Sequence, residues 1–156
     1  MAVQESVLAL QERLANEQRL VHVINRAHAA KSLDSILLEV QGEILTFFDA
    51  DRMTLYAVDQ ERKELYSKFL ALDTVKEIRL PISSKSVAGF VALSRQTVNI
   101  GDAYNGSELK RVSPELNFDS SWDKRTGFRT TQILAMPILH EAKVLGVVQL
   151  LNKKHG

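Results

Sequence analysis

The sequence has 156 residues, of which 45% are hydrophobic and 25% charged, and its 20 basic and 19 acidic side chains leave a formal net charge of +1. This length fits one globular domain with its own core, and the balanced charge gives no basic excess with which to hold a nucleic acid. The absence of cysteine excludes disulfides, thiolate metal sites and a cysteine nucleophile, and it favours a cytoplasmic protein.

The N-terminal segment, residues 4–30, is predicted to form one long amphipathic helix. It contains no Gly or Pro, and at about 1.5 Å per residue it would reach roughly 40 Å, further than a sheet of this size can cover. We therefore expect residues 1–31 to be a signalling helix whose apolar seam pairs two chains into a homodimer. Packing of the helix onto its own sheet is the alternative, which Glu17 within the seam favours slightly. The seam consists of Val7, Leu10, Leu14, Val21, Ile24 and His28.

Residues 33–100 alternate between helical and strand patterns. Residues 33–48 carry a second apolar helical stripe, and three strand patterns with short connections follow, which favours an antiparallel sheet. A serine-rich segment then supplies N-cap candidates for a short helix, followed by a brief strand. The strands are predicted at 52–58, 64–70 and 76–82, the helix at 87–95 and the brief strand at 97–100.

The last third of the chain combines an irregular segment with two apolar strands. Residues 101–122 are rich in turn formers, and we expect a long lid or binding loop there. Strands are predicted at 133–139 and 144–151, joined by the short link 140–143. The element order predicts an α+β fold, with a central antiparallel sheet of about six strands flanked by helices and a long N-terminal helix.

A polar turn precedes these two strands. Thr126, Gly127, Arg129 and Thr130 offer two hydroxyls, a flexible backbone and a cation beside a sheet. Such a turn suits a small anion or a nucleotide, although threonine is equally common as a simple turn cap. Both readings of Thr126 and Thr130 stay open on the residues alone.

The run T-G-F-R-T-T-Q-I-L-A-M-P-I, followed by G-V-V-Q-L-L-N-K, resembles the GAF domains of cyclic-nucleotide phosphodiesterases and their bacterial relatives. Upstream, A-D-R-M-T-L-Y-A-V-D and S-V-A-G-F-V-A match the first strand and the pocket helix of the same family. The resemblance implies a GAF domain over residues 32–156. It also implies a regulatory sensory module that binds a small ligand, such as cGMP or cAMP, and signals to an output domain outside this chain.

The resemblance further implies where a cyclic nucleotide would bind. The purine would lie between the strands and the pocket helix, with the phosphate at the N-terminus of that helix, where free N–H groups favour an anion. Asn152 and Lys153 would open the family's Asn-Lys-Phe-Asp-Glu signature. The implied ligand-binding residues are Thr54, Phe69, Val87, Ala88, Gly89, Thr126 and Thr130.

Two departures from the family pattern are visible. Leu70 stands where several members place an acidic side chain that reads the base, so selectivity for one purine should be poor. The sequence ends at Gly156, before the rest of the signature and the family's closing helix, which suggests a fragment or a helix supplied from elsewhere. An alternative function is a GAF domain without a ligand that acts as a dimerisation or protein-docking scaffold.

No pattern for catalysis, metal binding or membrane insertion is found in the sequence. There is no nucleophile elbow and no Walker-type loop, and His22 and His28 are six residues apart, which is wrong for a helical metal pair. The apolar runs are too short to span a membrane. We therefore expect a protein that is not an enzyme and that has no metal and no cofactor.

Overall fold

A computed structural model describes residues 2–29, 41–71 and 74–155, with side chains for 6–22, 41–67 and 77–155. Two compact units, residues 1–49 and 50–156, divide the chain. The helices are α1 (Ala2–Ala29), α2 (Gln41–Phe48), α3 (Val87–Ser94), α4 (Gly106–Val112) and α5 (Ser121–Thr126). The strands are β1 (Ala50–Asp59), β2 (Glu64–Ala71), β3 (Thr74–Pro81), β4 (Val98–Ile100), β5 (Ile133–His140) and β6 (Lys143–Lys153).

The N-terminal unit contains the predicted long helix, which is confirmed, and the short helix α2. Leu20 of α1 and Phe47 of α2 line one groove between these two helices. His22 Nε2 lies 3.3 Å from Glu43 Oε2 and so links the helices by a second contact. The first half of the second predicted helix, residues 33–40, lies outside the described residues.

The apolar seam of α1 is exposed. Val7, Leu10, Leu14 and Val21 keep 47, 64, 56 and 55% of their surface accessible, and none of them lines the groove against α2, which Glu17 shares with the seam. At 100° per residue, the groove face and the seam are separated by roughly a third of a turn. Packing against α2 therefore leaves the seam uncovered. Ile24 and His28 belong to the part of α1 whose side chains are not described.

The C-terminal unit contains a six-stranded sheet in the order β3-β2-β1-β6-β5-β4, with every pair antiparallel. This confirms the predicted α+β fold. Five of the eight residues of α3 are buried, and α3 packs on β5 and β6. Alternate residues of the central strands, Tyr56, Val147 and Ala135 among them, join α3 in the main hydrophobic core. The core thus lies between α3 and one face of the sheet.

The expectation of a long irregular loop over residues 101–122 was wrong, because α4 and the start of α5 fall within it. Asn105 caps α4 through Oδ1, which accepts hydrogen bonds from the N–H groups of Ser107 at 3.1 Å and Glu108 at 3.2 Å. Asn105 and Glu108 have the spacing of a capping box, so the sequence carried a signal for this helix. Gly127, at φ 72°, then ends α5 in the left-handed conformation.

Gly146 marks the closest approach between two strands of the sheet. A Cβ built on Gly146 would lie 2.2 Å from the carbonyl oxygen of Tyr56 in the paired strand β1. Gly146 and the Tyr56 carbonyl both belong to the backbone of paired strands, so neither can move aside without breaking the hydrogen bonds between β1 and β6. Only glycine fits at this position of the G-V-V-Q-L-L run.

We predict that Gly146→Ala lowers the free energy of unfolding by about 3 kcal/mol, the upper end for an overpacked site. Gly106→Ala is the control, because nothing lies within 4 Å of a Cβ added there and alanine suits a helix better than glycine. Chemical denaturation of both variants measures the difference. Equal midpoints for Gly146→Ala and the parent protein would contradict the close approach.

Candidate functional site

The candidate site lies on the sheet face that carries α3. Thr54 of β1 is half-buried there, and its cross-strand partner is Gln149 of β6. Gln149 in turn pairs with Ala135 of β5, whose small side chain is fully buried. Two polar side chains therefore lie side by side within an otherwise apolar surface.

Tyr56 extends this polar group toward the core. It lies two residues from Thr54 on the same face and packs in the core cluster with Val87 and Ala88 of α3. Burial raises the pKa of the Tyr56 phenol to about 12. The phenol therefore stays neutral at physiological pH and is available as a hydrogen-bond donor.

The first turn of α3 is buried, backbone included, since Val87 and Ala88 are only 5 and 3% exposed and Gly89 is buried as well. Val87 and Ala88 pack into the core, while Ser86 Oγ accepts a hydrogen bond of 3.1 Å from the Gly89 N–H. A Cβ on Gly89 would lie 2.6 Å from the carbonyl oxygen of Ser83, so this glycine is required by chain packing. The N–H groups of Val87 and Ala88 have no acceptor within the helix, as at any helix start, and they can bind an anion.

The segment between α5 and β5, residues 127–132, is held in place by Asp123. Oδ2 of Asp123 accepts hydrogen bonds from the Tyr104 hydroxyl at 2.6 Å and from the Thr130 N–H at 2.8 Å. Oδ1 accepts a third bond, of 2.8 Å, from the Thr130 hydroxyl. One carboxylate thus ties α5, the loop before β5 and the residue Tyr104 together.

Asp123 is held as a carboxylate. Burial works to raise its pKa, but the hydrogen bonds from Tyr104 and Thr130 and the charge of Arg129 together lower the pKa below its usual range. The hydrogen bond that the Tyr104 hydroxyl donates to Asp123 raises the pKa of Tyr104. The network is therefore fully formed at neutral pH.

Asn152 holds the other side of the same loop. Its Oδ1 accepts hydrogen bonds from the N–H groups of Thr131 at 2.7 Å and Gln132 at 3.0 Å, and its Nδ2 donates to the carbonyl of Arg129 at 2.8 Å. Asn152 adopts φ 54°, a conformation that asparagine tolerates better than most residues. The Asn-Lys pair at the end of β6 thus has a structural role.

The structure brings only some of the predicted site residues together. Val87 and Ala88 belong to the core cluster with Tyr56, and Thr54 lies two residues from Tyr56 on the same face of β1. The stack of Arg52 on Phe128, 3.8 Å from the ring centroid, brings the loop to β1. Gly89 lies at the same helix start. Phe69 lies in β2, where its backbone pairs with that of Lys76. The side chains of Phe69 and Leu70 lie outside the part of the chain whose side chains are described.

Thr126 and Thr130 differ in environment. Thr126 is exposed, and its hydroxyl donates to the carbonyl of Trp122 within its own helix at 2.8 Å. Thr130 is only 2% exposed, and its hydroxyl proton is used by Asp123. Thr126 therefore caps its helix in this structure, while Thr130 belongs to the loop network.

Sequence reasoning missed Asp123, Tyr104 and Gln149. In the sequence Asp123 is one charged residue among several near Arg129, but in the structure its oxygens bind Tyr104 and Thr130. No local spacing links residues 104, 123 and 130, because they meet only after the loop folds. Gln149 could have been found, since it is the one polar residue in the apolar run V-V-Q-L-L.

Two other kinds of site were sought in the described part of the chain. It contains no group of three or more His, Cys, Asp or Glu side chains placed to hold a metal ion. None of its helices combines the length and apolar character needed to cross a membrane.

Comparisons with known proteins identify the fold. The family model for the GAF domain matches residues 32–155. A probable 3′,5′-cyclic phosphodiesterase of Caenorhabditis elegans is 30% identical over 164 aligned residues, which cover 94% of this chain and 21% of the relative. The dual 3′,5′-cyclic-AMP and -GMP phosphodiesterase 11A of Takifugu rubripes is 36% identical over 138 residues, which cover 78% of this chain and 14% of the relative. The chain thus spans about a fifth or less of these relatives.

Solved structures agree in fold at low sequence identity. The GAF domain of a phosphoenolpyruvate-protein phosphotransferase from Coxiella burnetii superposes with a TM-score of 0.66 at 19% identity, covering 88% of this chain and 77% of that one. A free methionine-R-sulfoxide reductase from Neisseria meningitidis, in complex with its substrate, superposes with a TM-score of 0.59 at 17% identity, covering 88% and 73%.

The lowered pKa of Asp123 predicts a pH-dependent stability contribution. Because the folded-state pKa lies below the ordinary value of about 3.9, the contribution is present above that pH and is lost as the pH falls through the folded-state value. The stability difference between the parent protein and Asp123→Asn should therefore shrink in acid. Urea denaturation from neutral pH to about pH 3 measures it. A difference that is constant with pH would contradict this assignment.

We predict that Asn152→Ala lowers the free energy of unfolding by about 1–3 kcal/mol, because it leaves backbone groups of the loop without partners. Asn152→Gly separates the two effects of the residue, since glycine accepts the positive φ but makes no side-chain bonds. Both variants should be destabilised in thermal melts. If the glycine variant were as stable as the parent protein, the contribution of Asn152 to stability would come from its backbone conformation alone, which would contradict the role of its side-chain hydrogen bonds.

Proposed function

We propose that this chain, which belongs to the GAF domain family, is a regulatory module that binds a cyclic nucleotide, cGMP or cAMP, and passes the signal to an output domain outside residues 1–156. The observation that carries the proposal is the placement of polar groups on the α3 face of the sheet. Thr54 and Gln149 are half-buried neighbours on the face on which α3 packs, and the first N–H groups of a helix suit an anion.

The proposed ligand would use these groups in different ways. Its phosphate would lie at the N–H groups of Val87 and Ala88, and its base would lie over Thr54 and Gln149 and stack on Phe69. The neutral phenol of Tyr56 would supply a further donor from the core side. Leu70 offers no acceptor for a base edge, so the free-energy difference between adenine and guanine should be small.

The Asp123 network bears on how the ligand enters. Because the Thr130 hydroxyl donates its proton to Asp123, it meets the ligand only as an acceptor unless that bond exchanges. Thr126 would have to release the carbonyl of Trp122 to contribute. We propose that Thr54 is the main hydroxyl contact and that the loop closes the site behind the ligand.

The proposed role is regulatory and not catalytic. The curated relatives are named phosphodiesterases, and this chain corresponds to a minor part of each. The methionine sulfoxide reductases of similar fold catalyse a reduction, but this chain has no cysteine thiol to supply two electrons. The same absence suits a reducing cytoplasm, where we propose that the protein acts.

We also propose that α1 joins two copies of the chain, with residues 1–31 as a signalling helix and 32–156 as the GAF domain. Four seam residues, Val7, Leu10, Leu14 and Val21, are exposed along one side of α1. Their a and d spacing is that of a two-stranded coiled coil, and Glu17 is the one polar interruption among the described seam positions.

The ligand test is calorimetry with cGMP and cAMP. We expect binding in the micromolar range to the parent protein, with a loss of about 1–3 kcal/mol in Thr54→Val, because valine keeps the shape but leaves a ligand group unpaired. Thr97→Val is the matched control, since Thr97 is exposed and lies outside the site. The control should bind as the parent does.

The same experiment tests the alternative function, a scaffold without a ligand. The exposed seam of α1 and the engaged hydroxyl of Thr130 favour that alternative. No heat and no thermal shift with either nucleotide, on protein that unfolds cooperatively, would support the scaffold and contradict the sensor. Equal binding by Thr54→Val would place the ligand elsewhere.

We predict that Leu14→Asp converts a dimer into a monomer, because a buried unpaired charge in the seam costs roughly 3 kcal/mol or more. Arg19→Asp is the control, since it adds a carboxylate on the opposite side of α1. Light scattering over a range of concentrations measures the mass. A monomeric parent protein, or a dimer that both variants leave intact, would contradict pairing through the seam.

A further inference from the structure

Three arginines of the C-terminal unit lie over aromatic rings. Arg52 lies over Phe128, Arg129 over Tyr104 and Arg125 over Trp122, with guanidinium carbons 3.8, 4.2 and 4.9 Å from the ring centroids. None of the three forms a salt bridge with any residue that the structure describes. We call Arg52, Arg125 and Arg129 the basic rim.

The charges around the rim are unbalanced. Residues 50–52, 119–130 and 152–154 contain six basic and three acidic side chains, a local excess of +3 in a chain whose formal charge is +1. Asp123 is already bonded to Tyr104 and Thr130, and Asp119 Oδ1 accepts the Ser121 N–H at 2.9 Å. Asp119 and Asp123 are thus hydrogen-bonded locally. Arg125 and Arg129 lie near enough to lower the pKa values of Asp119 and Asp123, but in the described part of the chain no rim arginine forms a salt bridge.

The three segments lie together in the fold. Arg52 reaches Phe128 from the start of β1, and Asn152 near the end of β6 donates to the carbonyl of Arg129. Arg125 belongs to α5, the helix from which Asp123 holds the same loop. The rim is therefore one continuous surface.

We propose that the basic rim is a docking surface for an acidic peptide segment of a partner protein. A guanidinium stacked on a ring keeps its N–H edge free to bind a carboxylate with two parallel hydrogen bonds. Stacking also restricts the arginine before the partner arrives, which lowers the entropy lost on binding. This surface does not depend on the ligand proposed above.

The arrangement favours a peptide over other anionic partners. Each guanidinium lies on a different ring, so the three present separate carboxylate sites and do not converge on one small anion. Arginine covers one face of each ring, although Tyr104 and Trp122 remain 40% exposed. Single-stranded nucleic acid is therefore one of the competitors in the test. Trp122, beneath Arg125, is the exposed apolar side chain of α5, so anionic vesicles are a second competitor in the test.

The test is fluorescence anisotropy of the whole chain with a labelled peptide of alternating Glu and Ser. We expect binding at low salt that weakens as salt is added. The triple variant Arg52→Gln, Arg125→Gln, Arg129→Gln should weaken binding about tenfold or more. The variant Arg52→Lys, Arg125→Lys, Arg129→Lys keeps the charge but loses the paired hydrogen bonds, so it should bind several-fold more weakly than the parent protein.

The matched control is Arg19→Gln, Arg62→Gln, Lys143→Gln, which removes the same charge from exposed positions outside the rim. It should change binding by less than about twofold. Equal losses in the two Gln triples would overturn the proposal, because net charge alone would then explain binding. It would also be overturned by no binding of the Glu peptide, by equal binding of a Gln-Ser peptide, or by tighter binding of phosphatidylserine vesicles or single-stranded oligothymidine.

Discussion

The candidate site depends on how the loop before β5 is held. At the end of the loop, the carbonyls of Thr131 and Gln132 accept hydrogen bonds from the N–H groups of Ala103 and Asn152. Asp123 of α5 accepts two hydrogen bonds from Thr130 of the loop and a third from Tyr104, and Asn152 binds the loop from the end of β6. These side chains replace the ladder bonds that a strand would have made. They fix the position of Thr130, and the stack of Arg52 on Phe128 fixes the loop against β1. Both the closing side of the site and the basic rim are built on this one loop.

Periodicity predicted the strands and the first helix well, because burial against a single face imposes a regular pattern on the sequence. The two short helices between residues 101 and 127 were missed. Their stability comes from caps and tertiary contacts, such as Asn105 at α4 and Gly127 after α5, and their apolar pattern is weak. The position of Gly146 against the Tyr56 carbonyl depends on strand register, which no local pattern reveals.

The site residues divide in the same way. Val87 and Ala88 were implied by the family resemblance, and the structure places them in the first turn of α3 within the core, while their contact with a ligand stays a prediction. Thr126 and Thr130 were predicted by residue type, but which atoms their hydroxyls bind depends on Trp122 and Asp123, and so on the folded loop. Asp123 binds Thr130, seven residues away in the sequence, and Tyr104, nineteen residues away. The sequence therefore indicates functional side chains that lie on a single helix or strand. It does not indicate a network such as that of Tyr104, Asp123 and Thr130, whose members come from separate segments of the chain.

Backbone amide spectra of the isotope-labelled chain, recorded while cGMP or cAMP is added, test the central claim most directly. The account predicts that the largest shifts occur at Val87, Ala88, Thr54 and Thr130, and that they saturate together with one affinity. Shifts confined to the surface of α1 or to the hairpin between β5 and β6, or no shifts at all in a folded protein, would contradict a ligand site on the α3 face.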